Sequence, residues 1–279
     1  MTYNKIFITV TFAASLMSSA SWAADVVKGD LPAVSGPNGK VELSGGVAGI
    51  DGFDTTAVFQ GGASISLPLG ERFGLQFDAA DVNKFNDNMI GGNLHLFTRN
   101  PDSYLFGAVG GFAHANNANI SYIGPEAELY LNNISIEALG GYMHLDVAGV
   151  QSDKLFAIGD VALYATDDLR FAVGASTIAD FKSAHVGAEW QLQDMPISLT
   201  ANARIGDDNF KEATVGLKFY FGGENKSLIR RHREDDPRNR TLDIFNAAGS
   251  AFKPPQAGAP IASPCPPGEV LQGEICVLP

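Results

Sequence analysis

Between Gly39 and Phe221 polar and apolar residues alternate in short runs, and the runs come in pairs joined by tight turns. One pair is Gly62-Ala-Ser-Ile-Ser-Leu67 with Phe73-Gly-Leu-Gln-Phe77. Another is Gly187-Ala-Glu-Trp-Gln-Leu192 with Ile197-Ser-Leu-Thr-Ala201. The hairpin recurs about every 30 residues. Side chains on a strand alternate with a period of two, so each run puts one residue set on each face. Repeated up-and-down hairpins close a barrel without leaving edges. The expected fold class is therefore all-β, an antiparallel up-and-down transmembrane β-barrel over residues 39–221.

The pattern predicts twelve strands, near 40–49, 56–68, 72–80, 89–98, 104–114, 119–131, 133–146, 154–165, 168–178, 182–193, 196–205 and 211–221. An even number keeps both barrel ends on one side of a membrane. The tightest turns are Leu69-Gly-Glu71, Asn132-Asn133, Thr166-Asp-Asp168 and Asp194-Met-Pro196, with Arg99-Asn-Pro-Asp-Ser103 slightly longer. All follow even-numbered strands and carry turn-forming residues. That side is expected to be periplasmic, with longer connections such as 81–88 and 147–153 facing outside.

One face of the strands is apolar: Phe73, Leu75 and Phe77, then Leu94 and Leu96, Phe171 and Val173, and Val215, Leu217 and Phe219. The opposite face carries Asp78, His95, Glu126, Glu128, Glu137, Arg170, Glu189, Arg204 and Lys218, the candidate pore-lining residues. A soluble sandwich would also alternate, with its apolar face inside. Evenly spaced hairpins leave no long connection for a Greek-key crossover. The apolar face is expected to meet lipid and the polar face to line a lumen.

The two ends read differently. Lys5, the apolar stretch Ile6 to Met17 and Ser21-Trp22-Ala23 have the layout of a secretory signal peptide over 1–23, cleaved after Ala23. Residues 24–38 are expected to be a periplasmic leader. Residues 222–264 read as a charged, then Pro/Ala-rich periplasmic linker, whose opening 226–237 could form a short helix ending before Pro237. Its charge run, His232 included, is expected to be solvated, with a peptidoglycan or protein contact through Arg230, Arg231, His232 and Arg233 as the alternative. In an oxidising compartment Cys265 and Cys276 are expected to form a disulfide that staples a hairpin over 265–279.

The net charge of −12 becomes informative once divided. From Gly222 onward seven basic residues balance seven acidic ones, so the net acidity belongs to the body of the barrel. Such a body repels nucleic acid and attracts cations.

The last strand ends Leu217-Lys-Phe-Tyr-Phe221, which resembles the C-terminal signal of outer-membrane β-barrel proteins, with Phe219 and Phe221 as its aromatic residues. In most of that family the aromatic closes the chain; here 58 residues follow. The whole of 39–221 resembles small porin-like outer-membrane barrels, and the tail is similar to that of some alphaproteobacterial members. The resemblance implies a bacterial outer-membrane location, with outer-membrane lipid and the barrel-assembly machinery as partners. The Ala24-Asp25 start of the mature chain is similar to that of barrels joined to peptidoglycan through their amino end, which makes Ala24 a possible cell-wall tether.

The expected function is porin-like passive passage of small hydrophilic solutes, weakly cation-preferring. The alternatives are a structural barrel anchoring the outer membrane to the cell wall and a lipid-modifying enzyme. His185 shares its face with Ser183, but the outer-membrane phospholipase motif is not matched, and no enzymatic activity is expected. No cofactor and no metal site are expected either.

Overall fold

The computed structural model describes residues 31–51, 53–85, 87–115, 118–147, 149–222, 226–248, 270–272 and 275–277. Ala24, Cys265 and the signal segment 1–23 lie outside the described residues. Twelve strands form one closed barrel: β1 (Asn38–Ile50), β2 (Phe53–Leu69), β3 (Phe73–Lys84), β4 (Asp87–Asn100), β5 (Tyr104–Ala115), β6 (Ala118–Leu131), β7 (Ile134–Val147), β8 (Val150–Thr166), β9 (Leu169–Ile178), β10 (Phe181–Gln191), β11 (Ile197–Gly206) and β12 (Lys211–Phe221). Each strand pairs antiparallel with its sequence neighbours, and β12 closes on β1 with Phe221 opposite Gly39. The predicted strands agree with these bounds to within four residues.

The differences concentrate at the end away from Gly39 and Phe221, the distal mouth. The expected longer connections are absent there. β3 and β4 pair out to Lys84 opposite Asp87, and β7 and β8 out to Val147 opposite Val150. Polar residues such as Asp81, Asn83 and Asp153 read as loop, yet backbone pairing continues through them because a ladder needs no apolar side chain. Both mouths carry tight turns, with positive φ at Gly70 (68°) on one side and Gly149 (84°) on the other. Loop length therefore does not tell the two sides apart.

The outer surface is apolar around the barrel: Phe59, Ile123, Leu155 and Val215 are each more than 60% exposed. Water does not tolerate an apolar band of this extent, and a closed ladder leaves no strand edge unpaired in hydrocarbon. This is the exterior of a membrane-spanning barrel. Near the mouth formed by Gly39 and Phe221, the terminal mouth, Phe73, Phe106, Trp190, Phe219 and Phe221 point outward as an interfacial girdle. At the distal edge the outer face turns polar, with Asn88 bonded to Asp81 (2.9 Å), His114 to Asn119 (2.9 Å) and His144 to Asp153 (2.7 Å).

The leader is pinned before β1 begins. Ala33 N–H donates to the Glu71 carbonyl (2.9 Å) and Arg99 Nε to the Ala33 carbonyl (2.7 Å). Val34 is buried among Phe97, Leu105 and Tyr130. Near the C-terminus β13 (Val270–Gln272) and β14 (Ile275–Val277) form a small antiparallel pair with Leu271 opposite Cys276.

Residues 226–248 depart most from expectation. They were expected as a solvated linker beyond the barrel; instead they fold into its lumen. A helical turn α1 (Leu228–Arg230) runs into a π-helical turn over Arg231–Asp235, and α2 (Arg240–Ala248) follows. The segment climbs the lumen. Lys226 sits at Gln191 near the terminal mouth, Arg240 at Asp78 in the middle, and Asn246 at Gln60, itself bonded to Glu212, towards the distal end. Leu242, Ile244, Phe245, Ala247 and Ala248 join the buried cluster formed by Met89, Ala113, Ile120, Met143, Leu145 and Ile178 from the walls.

Candidate functional site in the lumen

The nine polar-face candidates all point inward, as strand parity requires. The lumen wall buries seven strand carboxylates (Asp78, Glu126, Glu128, Glu137, Asp160, Glu189, Glu212) and five strand cations (Lys40, Lys84, Arg99, Arg170, Arg204). Segment 226–248 reverses that ratio, with six Lys and Arg against four Asp and Glu. The filling complements the wall.

The complement is specific. Arg240 is 1% exposed and reaches Glu126 (3.4 Å), Glu128 (3.1 Å) and, on its own helix, Asp243 (3.1 Å). Its backbone N–H donates to Asp78 Oδ2 (2.7 Å). Arg238 meets Glu137 and Asp160, each at 3.2 Å. Glu137 also binds Arg170 across the wall (2.7 Å). The expected acidic patch of Glu126, Glu128 and Glu137 exists, but the chain's own arginines cap it. His95 lies beneath, with Nε2 2.9 Å from Asp78 and Nδ1 2.8 Å from Glu126.

Two side chains of the segment act as pegs. Asn239 caps α2, its Oδ1 accepting from Leu242 N–H (2.9 Å). Its Nδ2 donates to the carbonyls of Ala63 and Ala79, cross-strand partners on β2 and β3 (3.0 and 3.1 Å). Gln60 Nε2 donates to Asn246 Oδ1 (2.8 Å).

In the charge run at the terminal mouth Arg230 is exposed, but Arg231, His232 and Arg233 are engaged with the wall. His232 is enclosed between the hydroxyls of Tyr164 (2.8 Å) and Tyr220 (3.0 Å). Burial pushes its pKa down to about 3, against the pull of Glu189. Arg231 donates to Gln191 Oε1 and lies over the Tyr220 ring. Arg233 donates to the carbonyls of Asn132 and Ile134. Lys226 binds Asp235 (2.6 Å) and Glu234 (3.1 Å). On the opposite wall Glu189 binds Lys218 (2.8 Å), and Arg204 donates to Ser183 (2.7 Å).

The histidine considered as a base is engaged elsewhere: His185 Nε2 lies 2.6 Å from Asp160, while Ser183 bonds Ser176 and Arg204. His144 pairs with Asp153. Among the described residues no group of acidic, histidine or cysteine side chains is arranged to hold a metal ion. Between the filling and the wall of β8–β12 a polar cavity of about 110 Å³ remains, bordered by Asp160, Arg170, His185 and Arg238. Sequence reasoning missed Arg238, Asn239, Arg240 and Asn246.

Fold and surface together define a closed, twelve-stranded outer-membrane-type β-barrel. No protein-family model and no curated protein matches the chain. Among solved structures the barrel is similar to the KdgM porin in complex with disordered oligogalacturonate, at 8% identity over 64% of this chain and 98% of that one, with a TM-score of 0.49. It is similar to the NanC porin at 11% identity, over 64% and 98%, with a TM-score of 0.47. The translocator domain of the autotransporter NalP from Neisseria meningitidis is similar at 10% identity, over 71% and 90%, with a TM-score of 0.40. The fold itself rests on this chain's own strand pairing.

Proposed function

We propose that this protein is a porin-like outer-membrane passage for small hydrophilic solutes, held shut by its own segment 226–248. The observation that carries the reading is the polar seam between segment and wall, centred on Arg240, Arg238 and their carboxylates. A barrel of eight strands fills its interior with its own side chains, whereas twelve strands leave more width. Here a separate segment takes up that width. Buried ion pairs are a costly way to fill a space permanently, because apolar side chains of similar volume do so at least as well. A polar seam suits a filling that leaves and returns, since both surfaces can be solvated when parted. With the segment withdrawn, the wall's excess of carboxylates gives the passage a weak preference for cations. The mouth with the chain ends faces the periplasm.

Planar-bilayer recording tests this. The unmodified protein is expected to conduct rarely. Arg238→Gln/Arg240→Gln in the full chain is expected to conduct often, with a reversal potential displaced towards cations. Silence from both proteins above the lipid baseline would contradict the reading.

A second reading, a barrel anchoring the membrane to the cell wall, is favoured by the pinned leader. Because Ala33 is fixed at the terminal mouth, a tether at Ala24 would be mechanically coupled to the barrel.

A further inference from the structure

Glu128, Glu137 and Asp160 stand in register on three adjacent strands. Glu128 is directly opposite Glu137, and Glu137 directly opposite Asp160. All three are buried. Like charges directly opposite one another destabilise a strand pair, and burial removes the water that would screen them. Such a row is sustained only with cations upon it. Arg170 supplies one from the wall, on β9, and the inserted segment supplies Arg238 and Arg240.

Asp160, at the end of the row, also borders the cavity of about 110 Å³, where three buried polar atoms, Arg170 Nε among them, make no hydrogen bond. Asp160 Oδ2 lies 3.2 Å from Arg238 Nη1 without hydrogen-bond geometry. His185 Nδ1 has no partner at all, and the ring is nine-tenths buried. Gly174 keeps this corner open: a Cβ there would fall 2.6 Å from Asp160 Oδ1 and 2.7 Å from His185 Cε1. The Asp160 end of the carboxylate row, an adjoining space and an unused hydrogen-bonding nitrogen meet at one place.

We propose that this row is the recognition site of the open lumen for organic cations carrying two guanidinium or amine groups, and that Arg238 and Arg240 occupy it when the lumen is shut. The proposal rests on the reading of the barrel as a self-closed passage and names its solute class. Carboxylates in a row offer planar, two-oxygen acceptors that guanidinium groups match and that a spherical ion does not. An anionic solute meets like charge and is turned away. Solute and segment therefore compete for the same carboxylates.

The test uses agmatine, which carries one guanidinium and one ammonium, with the full chain bearing Arg238→Gln. Arg238 is 28% exposed, so its loss is better tolerated than that of Arg240. Thermal unfolding in detergent is measured with about 10 mM agmatine and with potassium chloride at equal ionic strength. Agmatine is expected to raise the Tm of the variant by roughly 3–6 °C and that of the unmodified protein, whose site is filled, by less than about 1 °C. Adding Glu137→Gln should abolish the rise. Equal effects of agmatine and potassium chloride, or an equal rise in the unmodified protein, would overturn the proposal. If the variant does not refold alone, recovery of folded barrel is compared in the same two solutions. Rescue by agmatine alone supports the site, and no rescue overturns it. Neither arm needs conductance, so a barrel that never conducts would end the passage reading while leaving cation recognition standing.

Discussion

Arg240 is enclosed by Glu126, Glu128 and Asp243, so removing its guanidinium leaves buried carboxylates without a counter-charge. Breaking a buried pair from one side costs about 3–5 kcal/mol, and Arg240→Ala is expected to unseat the segment to that extent. Trypsin cleavage within 226–248 should accelerate, while the strands stay protected. Combining Arg240→Met with Glu126→Gln and Glu128→Gln should restore much of the protection. His232 makes a pH prediction. An unseated imidazole titrates near about 6.5, whereas the buried one is held at about 3, so between those values the unseated state binds the extra proton. Its contribution to closure is therefore complete above about pH 6.5 and is lost as pH falls towards about 3. The groups facing it are Tyr164, Tyr220 and Glu189, with Arg170, Lys218 and Lys40 nearby. Openings should become more frequent from pH 7 to pH 4, and His232→Gln should show a smaller increase than the unmodified protein. At this scale the sequence was informative about direction and blind to partners. A strict period of two gave the inward set from Asp78 to Lys218. Nothing local could show that Glu126 and Glu128 face a guanidinium more than 100 residues further on.

The segment 226–248 carries charges of both signs and no broad apolar face, and such a composition ordinarily reads as solvated. Its setting explains the misreading. The first half meets a largely charged wall, so most of its buried residues are polar, with Leu228 against Tyr164 and Tyr220 as the apolar contact; the second half, Leu242 to Ala248, meets a mainly apolar wall. Two signals were nonetheless present in the sequence. Asn239 before Arg240-Thr-Leu-Asp is an N-cap followed by a run with apolar residues at Leu242 and Phe245, three apart. The segment's cationic excess also mirrors the acidity of the barrel. Asn239→Ala removes the cap and both bonds to the Ala63 and Ala79 carbonyls. The cap alone is worth about 0.5–2 kcal/mol. Hydrogen exchange of α2 amides should speed up in this variant while that of β2 and β3 stays slow. The distal hairpins failed to read as strands for a related reason: polar side chains at a membrane edge lose the alternation while the ladder continues.

Across the whole molecule the closed ladder and apolar exterior predict heat-modifiable migration in SDS gels, with unheated and boiled samples running apart. Identical migration together with recovery in a soluble fraction would contradict the barrel. The pinned leader shortens any tether. Reach is set by the nine residues from Ala24 to Pro32 that precede Ala33, at most about 30 Å at roughly 3.3–3.6 Å each, and not by the full stretch to Asn38. Lysozyme digestion of purified cell walls should release Ala24 bonded to a muropeptide if the anchoring reading holds; only free Ala24 amino ends would rule it out.

The most direct measurement of the central claim, that segment 226–248 shuts the passage reversibly, joins the segment to the wall at will. Gln60→Cys and Asn246→Cys, whose native side chains are hydrogen-bonded at 2.8 Å, are introduced together with Cys265→Ser and Cys276→Ser. The pair is bridged by a short bis-thiosulfonate that a reductant cuts. Single channels are recorded before and after cutting. The account predicts silence while the bridge is intact and intermittent, cation-preferring openings once it is cut. The same current in both states, whether steady flow or none, would contradict it.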